Sequence, residues 1–285
     1  MGAADSVTRV ASNTTAVTAN AKLGRVELAL LRRIDRSGRA VVRPKRDRAI
    51  FADLGAVSRR QALTRLERAG WLHRIEQGAY VALGAAGLDT RSTLALVADW
   101  LDGTDYAVGG TAALAHWDLT GHAPSGIEIL VARRKRSLHY RGVRFQFIST
   151  RPELLADPGS VATVRIDGAR ARLRIISPER AVLAAAVGQH APSLSVAAAA
   201  LDRGLQRHAF SHRRLVAQAR REHAAARRIG WLAEQRQQHR LATALLALVG
   251  RGGYVPLDPR ADITGAPLNS RWRVIENASY ADLLA

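Results

Sequence analysis

An α+β fold is what the sequence predicts, and three observations predict it. Near the N-terminus two helix-period segments lead into a third, residues 59–69, followed at once by two strand-like runs around Glu76, Gln77 and Gly78. Further strand-like runs, 127–132, 142–148, 162–166 and 171–175, occupy the middle of the chain. From Ser177 to about Val249 the pattern is helical. A length of 285 residues accommodates a small unit and a larger domain, each with its own core.

Residues 1–22 are small and polar, with Asp5 and Arg9 among Thr, Ala and Ser, and read as a flexible tail. They lack the basic start and apolar block of a signal peptide. In 23–36, apolar residues at Val26, Leu28, Leu30, Leu31 and Ile34 predict a first helix, and Pro44, Ala49, Ile50, Phe51 and Leu54 a short second one closed by Gly55. Ser58 then reads as an N-cap with Gln61 reaching back, a capping box that starts the third helix at Arg59. Ala62, Leu63, Leu66 and Ala69 recur at the spacing of one buried face, which leaves Arg59, Arg60, Thr64, Arg65 and Arg68 outward. Gly70 supplies the stop, and residues 71–75 and 79–83 form a hairpin. Together, residues 23–85 have the parts of a winged helix-turn-helix. In such a unit the recognition helix enters the major groove, where arginine grips guanine O6 and N7, and the wing touches the flanking DNA.

Charge points the same way. The chain holds 43 Lys+Arg against 24 Asp+Glu, a formal +19, and residues 1–83 alone carry +9. Most of the excess is arginine, whose planar fork pairs with phosphates and base edges. GC-rich coding would also enrich arginine, so the clustering on one helix face weighs more than the total. With no cysteine there are neither disulfides nor thiolate metal sites, which fits a reducing cytoplasm, and no metal site or cofactor is expected. The longest stretch without an acid or base, 181–201, is interrupted by Gly188, Gln189, His190, Pro192 and Ser193, so no membrane span is expected.

Residues 86–285 form the predicted second domain. A helix is expected over 94–101, then the segment GGTAALAHWDL (109–119), the strands named above, and a basic turn of Arg133, Arg134, Lys135 and Arg136. Ser177, Pro178 and Glu179 open a further helix as cap, first-turn proline and dipole-complementing acid. Gly109 and Gly110 invite a nucleotidyltransferase reading, because such enzymes hold phosphates at a glycine turn and bind metal through paired carboxylates on the next strand. That strand here offers Glu128 alone, with Gly126 and Leu130 where a partner would stand. A tight strand-to-helix turn and an exposed Glu128 are the expectation, and no catalytic residue is assigned. His208 and His212 are expected on different elements, since Ser211 reads as a new cap. Arg213, Arg220 and Arg227 with Arg214, Arg221 and Arg228 would make a basic stripe if their helix were continuous.

The chain as a whole resembles the AbiEi-type antitoxins of type IV toxin–antitoxin systems. The resemblance rests on the order of GAY (78–80), GGTAALAHWDL (109–119), ISPERAVLAA (176–185), RRIGWLAE (227–234) and SRWRVIEN (270–277). It implies a winged helix that represses its own operon by binding inverted repeats in the promoter, with two protomers per operator. It also implies a C-terminal domain that counters a nucleotidyltransferase-like toxin, generally without a stable complex. On this resemblance the DNA surface comprises Arg59, Arg60, Thr64, Arg65 and Arg68 with Ser58 on the recognition helix, and His73, Arg74 and Gln77 on the wing. Lys45, Arg46 and Arg48 would be phosphate anchors. Two alternatives stay open: a regulator whose C-terminal domain senses an effector, and an active nucleotidyltransferase.

Overall fold

The structure is a computed structural model that describes residues 23–82, 93–140, 142–187 and 193–284. The chain divides into two compact units, residues 1–91 and 92–285, and is α+β. The expected tail at 1–22 and the expected boundary at 85 and 86 lie outside the described residues.

In the first unit α1 (Arg25–Ser37) is followed by β1 (Val41–Val42), a single 3-10 turn (Arg48–Phe51), α2 (Ala56–Arg68), β2 (Leu72–Glu76) and β3 (Ala79–Ala82). The three strands form one antiparallel sheet in the order β1-β3-β2. Leu30 and Ile34 of α1, Ile50 and Phe51 of the turn, Ala62, Leu63 and Leu66 of α2, and Val42 and Leu72 of the sheet make one buried cluster. The second expected helix is thus only one 3-10 turn. It carries two core residues, Ile50 and Phe51, and Leu54 packs at the edge of the same cluster, so the chain turns back before a second helical turn can form.

That early turn also moves the start of α2. The helix begins at Ala56, with Gly55 as extended N-cap and Arg59 N–H donating to the Gly55 carbonyl at 2.9 Å. Ser58 is therefore the third helical residue and not the cap, and the expected capping box does not form. The C-terminal end is as expected and tightly built. Trp71 N–H reaches the Leu66 carbonyl at 2.9 Å and Gly70 N–H the Glu67 carbonyl at 3.0 Å, with Gly70 at φ 76°, the paired bonds of a Schellman motif. Trp71 packs on the cluster that contains Leu66.

The second unit is built on a six-stranded mixed sheet, order β6-β7-β5-β4-β9-β8, from β4 (Tyr106–Gly109), β5 (Gly126–Val131), β6 (Leu138–Tyr140), β7 (Val143–Ser149), β8 (Val161–Val164) and β9 (Leu173–Ile176). Its helices are α3 (Thr93–Leu101), α4 (Gly110–His116), α5 (Pro152–Ala156), α6 (Pro178–Ala185), α7 (Leu194–Gln206), α8 (His212–Ala219), α9 (His223–Gln235), α10 (His239–Leu246) and α11 (Tyr280–Leu284). A small sheet, order β10-β12-β11, joins β10 (Val255–Pro256), β11 (Leu268–Asn269) and β12 (Val274–Ile275). Ser177 caps α6 by accepting from Arg180 N–H, with Pro178 in the first turn, and Ser211 caps α8 by accepting from Arg214 N–H. Among the described residues no helix is long and apolar enough to cross a membrane.

Two of the sequence segments singled out above, 227–234 and 270–277, interlock here. Gly230 of α9 lies under the indole of the fully buried Trp272, and a Cβ at Gly230 would stand 2.0 Å from Trp272 Cζ3. Trp272 Nε1 donates to Glu234 at 2.6 Å, and Trp231 Nε1 to Glu276 at 2.6 Å. Each indole of one segment is held by a carboxylate of the other. Gly230→Ala is expected to destabilise the second unit by about 1–3 kcal/mol, the usual cost of forcing a methyl into a packed core. Urea unfolding of the variant checks this, and an unchanged midpoint would show that the indole can move aside.

Candidate nucleic-acid interface

Burial along α2 separates its two faces. Ala62, Leu63 and Leu66 are buried, whereas Ala56, Val57, Ser58, Arg60, Gln61, Arg65 and Arg68 are exposed, and Arg59 and Thr64 are half-exposed. A shallow hollow runs along the exposed face, lined by Val57, Arg60, Gln61, Thr64 and Arg68 among others. Arg60 and Arg68 have no ion-pair partner among the described residues. Their guanidinium groups are open to an incoming anion.

Arg65 is differently placed. Its Nη1 donates to Glu27 Oε1 at 2.9 Å, and the Glu27 side chain is only 4% exposed while that of Arg65 is 66% exposed. Glu27 is the third residue of α1, where a carboxylate reaches back to the helix start, and its Oε2 would lie 2.5 Å from a Cβ on the cap residue Gly24. The carboxyl is held below its ordinary value of 4.5 by a hydrogen bond from its own backbone N–H, then by the hydrogen bond from Arg65, against the opposing effect of burial. Arg65, expected with the outward base-facing group, is thus partly committed to tying α2 to α1. The sequence signal for this clasp is a glutamate three residues after a glycine at a helix start, visible in 24–27 but unreadable without its partner.

A second hollow adjoins the entry of α2 and is lined by Pro44, Lys45, Arg48, Phe51, Leu54 and Arg59. Lys45, Arg46 and Arg48 are all exposed. The loop that presents them is fixed by Asp47, whose carboxylate accepts from Arg43 N–H at 2.7 Å and pairs with Arg39 at 3.4 Å. The structure therefore groups Lys45, Arg48 and Arg59 as one basic notch.

On the hairpin, His73, Arg74 and Gln77 are exposed and Gly78 turns the tip with φ 76°. Register separates the first two. Arg74 pairs with Tyr80 and so shares a sheet face with Leu72 and Ala82, whereas His73 pairs with Val81 and lies on the other face with Val41. A shift in register between Arg74 and Glu76 follows before the tip. His73 and Arg74, expected to act together on the wing, therefore face opposite ways.

No family model and no curated protein matches the sequence. Among solved structures, the chain is similar to the crystal structure of the RV2827C protein from Mycobacterium tuberculosis. The TM-score is 0.65 at 16% identity, over 90% of this chain and 92% of that one. At such identity the likeness is one of fold.

In the second unit, Gly109 and Gly110 make the expected strand-to-helix turn, Gly110 with φ 57°. Glu128 differs from expectation. It pairs with Gly109 across the sheet and is half-buried, its carboxyl occupying the space a Gly110 side chain would need, 2.4 Å from a Cβ there. Burial pushes its carboxyl up from the usual range. Gly126 and Leu130 flank it on the same strand face, and among the described residues no group of three metal-ligating side chains occurs. His208 lies in a loop and His212 opens α8, on separate elements as expected.

The expected basic stripe is broken between α8 and α9, and its last members are interior. Arg228 is 4% exposed and donates to the carbonyls of Pro256, Ala186 and Val187 at 2.7–2.9 Å, and Arg227 is 6% exposed and reaches the Gly253 carbonyl. These guanidinium groups join chain segments instead of facing solvent.

Glu27→Gln removes the charge from the α1–α2 clasp and is expected to cost about 1–3 kcal/mol at pH 7, the range for a charge-assisted hydrogen bond. Because the folded-state pKa is depressed, this contribution is complete above about 4.5 and is lost as pH falls through the folded value. Hydrogen exchange of the α1 and α2 amides should show a gap between wild type and variant at pH 7 that closes on acidification. A gap that acidification leaves unchanged would contradict the ionised pair.

Proposed function

We propose that this protein is an autorepressing antitoxin of a type IV pair, whose N-terminal unit is a winged helix-turn-helix that binds inverted repeats in its own promoter. The observation that carries the DNA-binding part is the exposed face of α2, where Arg60 and Arg68 stand unpaired beside a basic notch of Lys45, Arg48 and Arg59. A helix packed against the three-stranded sheet and capped firmly at its far end presents Arg60 and Arg68 on one exposed face, with the notch beside its entry. Such a face suits the major groove, with the notch on the adjacent phosphates and the hairpin tip at Gln77 and Arg74 on the flanking backbone. The antitoxin part is supported by the sequence resemblance. It makes the second unit a non-catalytic partner that counters a nucleotidyltransferase-like toxin in the cytoplasm without a stable complex, and an inverted repeat recruits two protomers.

One observation favours a second reading, an ordinary regulator whose larger unit senses an effector. A cleft of about 500 Å³ in that unit is lined by Arg151, Arg180, Arg214 and Arg221 together with Glu153, Asp157 and Glu222, and Arg180 donates to Glu222 at 2.9 Å. An effector that alters operator affinity, with no rescue of growth when the adjacent gene is co-expressed, would select this reading.

Gel-shift titration on the DNA upstream of the gene, with scrambled competitor, tests the proposal. Arg60→Ala is expected to lose about 1–3 kcal/mol on the upstream site and little on scrambled DNA. Lys45→Ala should weaken both DNAs alike and reduce the slope of log K against log salt by about 1. Equal loss on both DNAs for Arg60→Ala would make it a phosphate contact.

A further inference from the structure

The early start of α2 changes which side chains can read bases. With the cap at Gly55 instead of Ser58, Ala56 and Val57 join the helix, and Gln61 is released from any capping role. Val57 is 70% exposed, the most exposed of the large apolar side chains among the described residues. Gln61 is exposed, and its amide has no hydrogen-bond partner among the described residues. Residues 57, 60, 61 and 64 fall one turn apart on one face and line the same hollow.

We propose that Val57 and Gln61 are specificity-determining residues, Val57 packing on a thymine methyl and Gln61 bonding an adenine edge in neighbouring base pairs, with Arg60 on an adjoining guanine. The inference rests on the DNA-binding reading above and assigns the chemistry of the site within it. A carboxamide presents an N–H donor side by side with a carbonyl acceptor, a pair that matches N7 and N6–H of adenine in the major groove and no other base edge there. An isopropyl group offers no hydrogen bond. Placed in the first turn, where recognition helices approach the bases, it discriminates only by contact with the methyl that distinguishes thymine. An isopropyl group gains nothing from a phosphate, whereas a carboxamide can also donate to one, so removal of N7 alone separates base reading by Gln61 from a phosphate contact. Arg65, half held by Glu27, is left to the backbone.

The test uses the full chain and a random-sequence duplex library, from which bound DNA is selected and sequenced. The winning duplex is then rebuilt with single thymines replaced by uracil, which removes only the methyl, and single adenines replaced by 7-deazaadenine, which removes only the N7 acceptor. Wild type should lose roughly 3- to 5-fold in affinity at one uracil position, the worth of one buried methyl, and roughly 5- to 100-fold at one 7-deazaadenine position. Val57→Ala should bind the thymine and uracil duplexes alike, and Gln61→Ala should ignore the 7-deaza change while still sensing uracil. Both positions are exposed and alanine favours the helix, so the variants fold. A uracil penalty that survives in Val57→Ala, or a selected motif without a fixed A·T pair, would overturn this assignment and leave DNA binding standing. A library from which nothing is enriched would overturn both.

Discussion

The buried carboxylate of Glu27 is the constraint on which the candidate interface depends. It sits at the start of α1, against the open side of Gly24, and accepts the guanidinium of Arg65 from the middle of α2. A charge so enclosed is costly unless paired, and Arg65 is the side chain that pairs it. The interaction therefore sets where along α1 the second helix can rest, and with it which residues of α2 are turned to solvent. The Schellman bonds at Gly70 and Trp71 hold the other end. Between these two fixtures the hollow of Val57, Arg60, Gln61 and Thr64 is held on a rigid element, which is what base reading requires of a protein surface.

The larger unit spends its arginines differently. Arg227 and Arg228 are interior, and the guanidinium of Arg228 gathers three carbonyls from two separate segments, tying α9 to the end of α6 and to β10. The RRIGWLAE and SRWRVIEN segments prove to be two halves of one packing arrangement, with Gly230 under Trp272 and crossed indole–carboxylate bonds. Glu179 of the ISPERAVLAA segment is fully buried, accepting from Ser211 N–H and pairing with Arg214, so it joins α6 to the start of α8. These segments are thus largely devices for holding the shape of this unit. Basic charge in the chain is accordingly of two kinds, interior guanidinium groups that join chain segments and exposed ones carried by both units.

Much of this was legible in the sequence. The α+β class, the hairpin, the stop at Gly70, the caps at Ser177 and Ser211 and the apolar face of α2 follow from local spacing and turn chemistry, which act over a few residues. What stayed hidden required a distant partner. Ser58 and Gln61 fit a capping box, yet the helix starts nearly a turn earlier, at Ala56 after the extended Gly55. β1, only two residues long, exists through its pairing with β3 and has no periodicity to detect. Arg228 reads as a surface residue until the carbonyls around it are seen, and Glu128 reads as exposed until Gly110 is placed against it. His73 and Arg74 are adjacent in sequence, and only the register shows that they face apart.

DNA is proposed to lie along the exposed face of α2. Hydrogen exchange of the full chain, with and without the duplex upstream of its gene, tests this most directly. Slowed exchange is expected over residues 43–68 and at the hairpin tip, with the second unit's packed segments unchanged. Protection confined to residues 93–284, or equal protection by scrambled DNA, would contradict it.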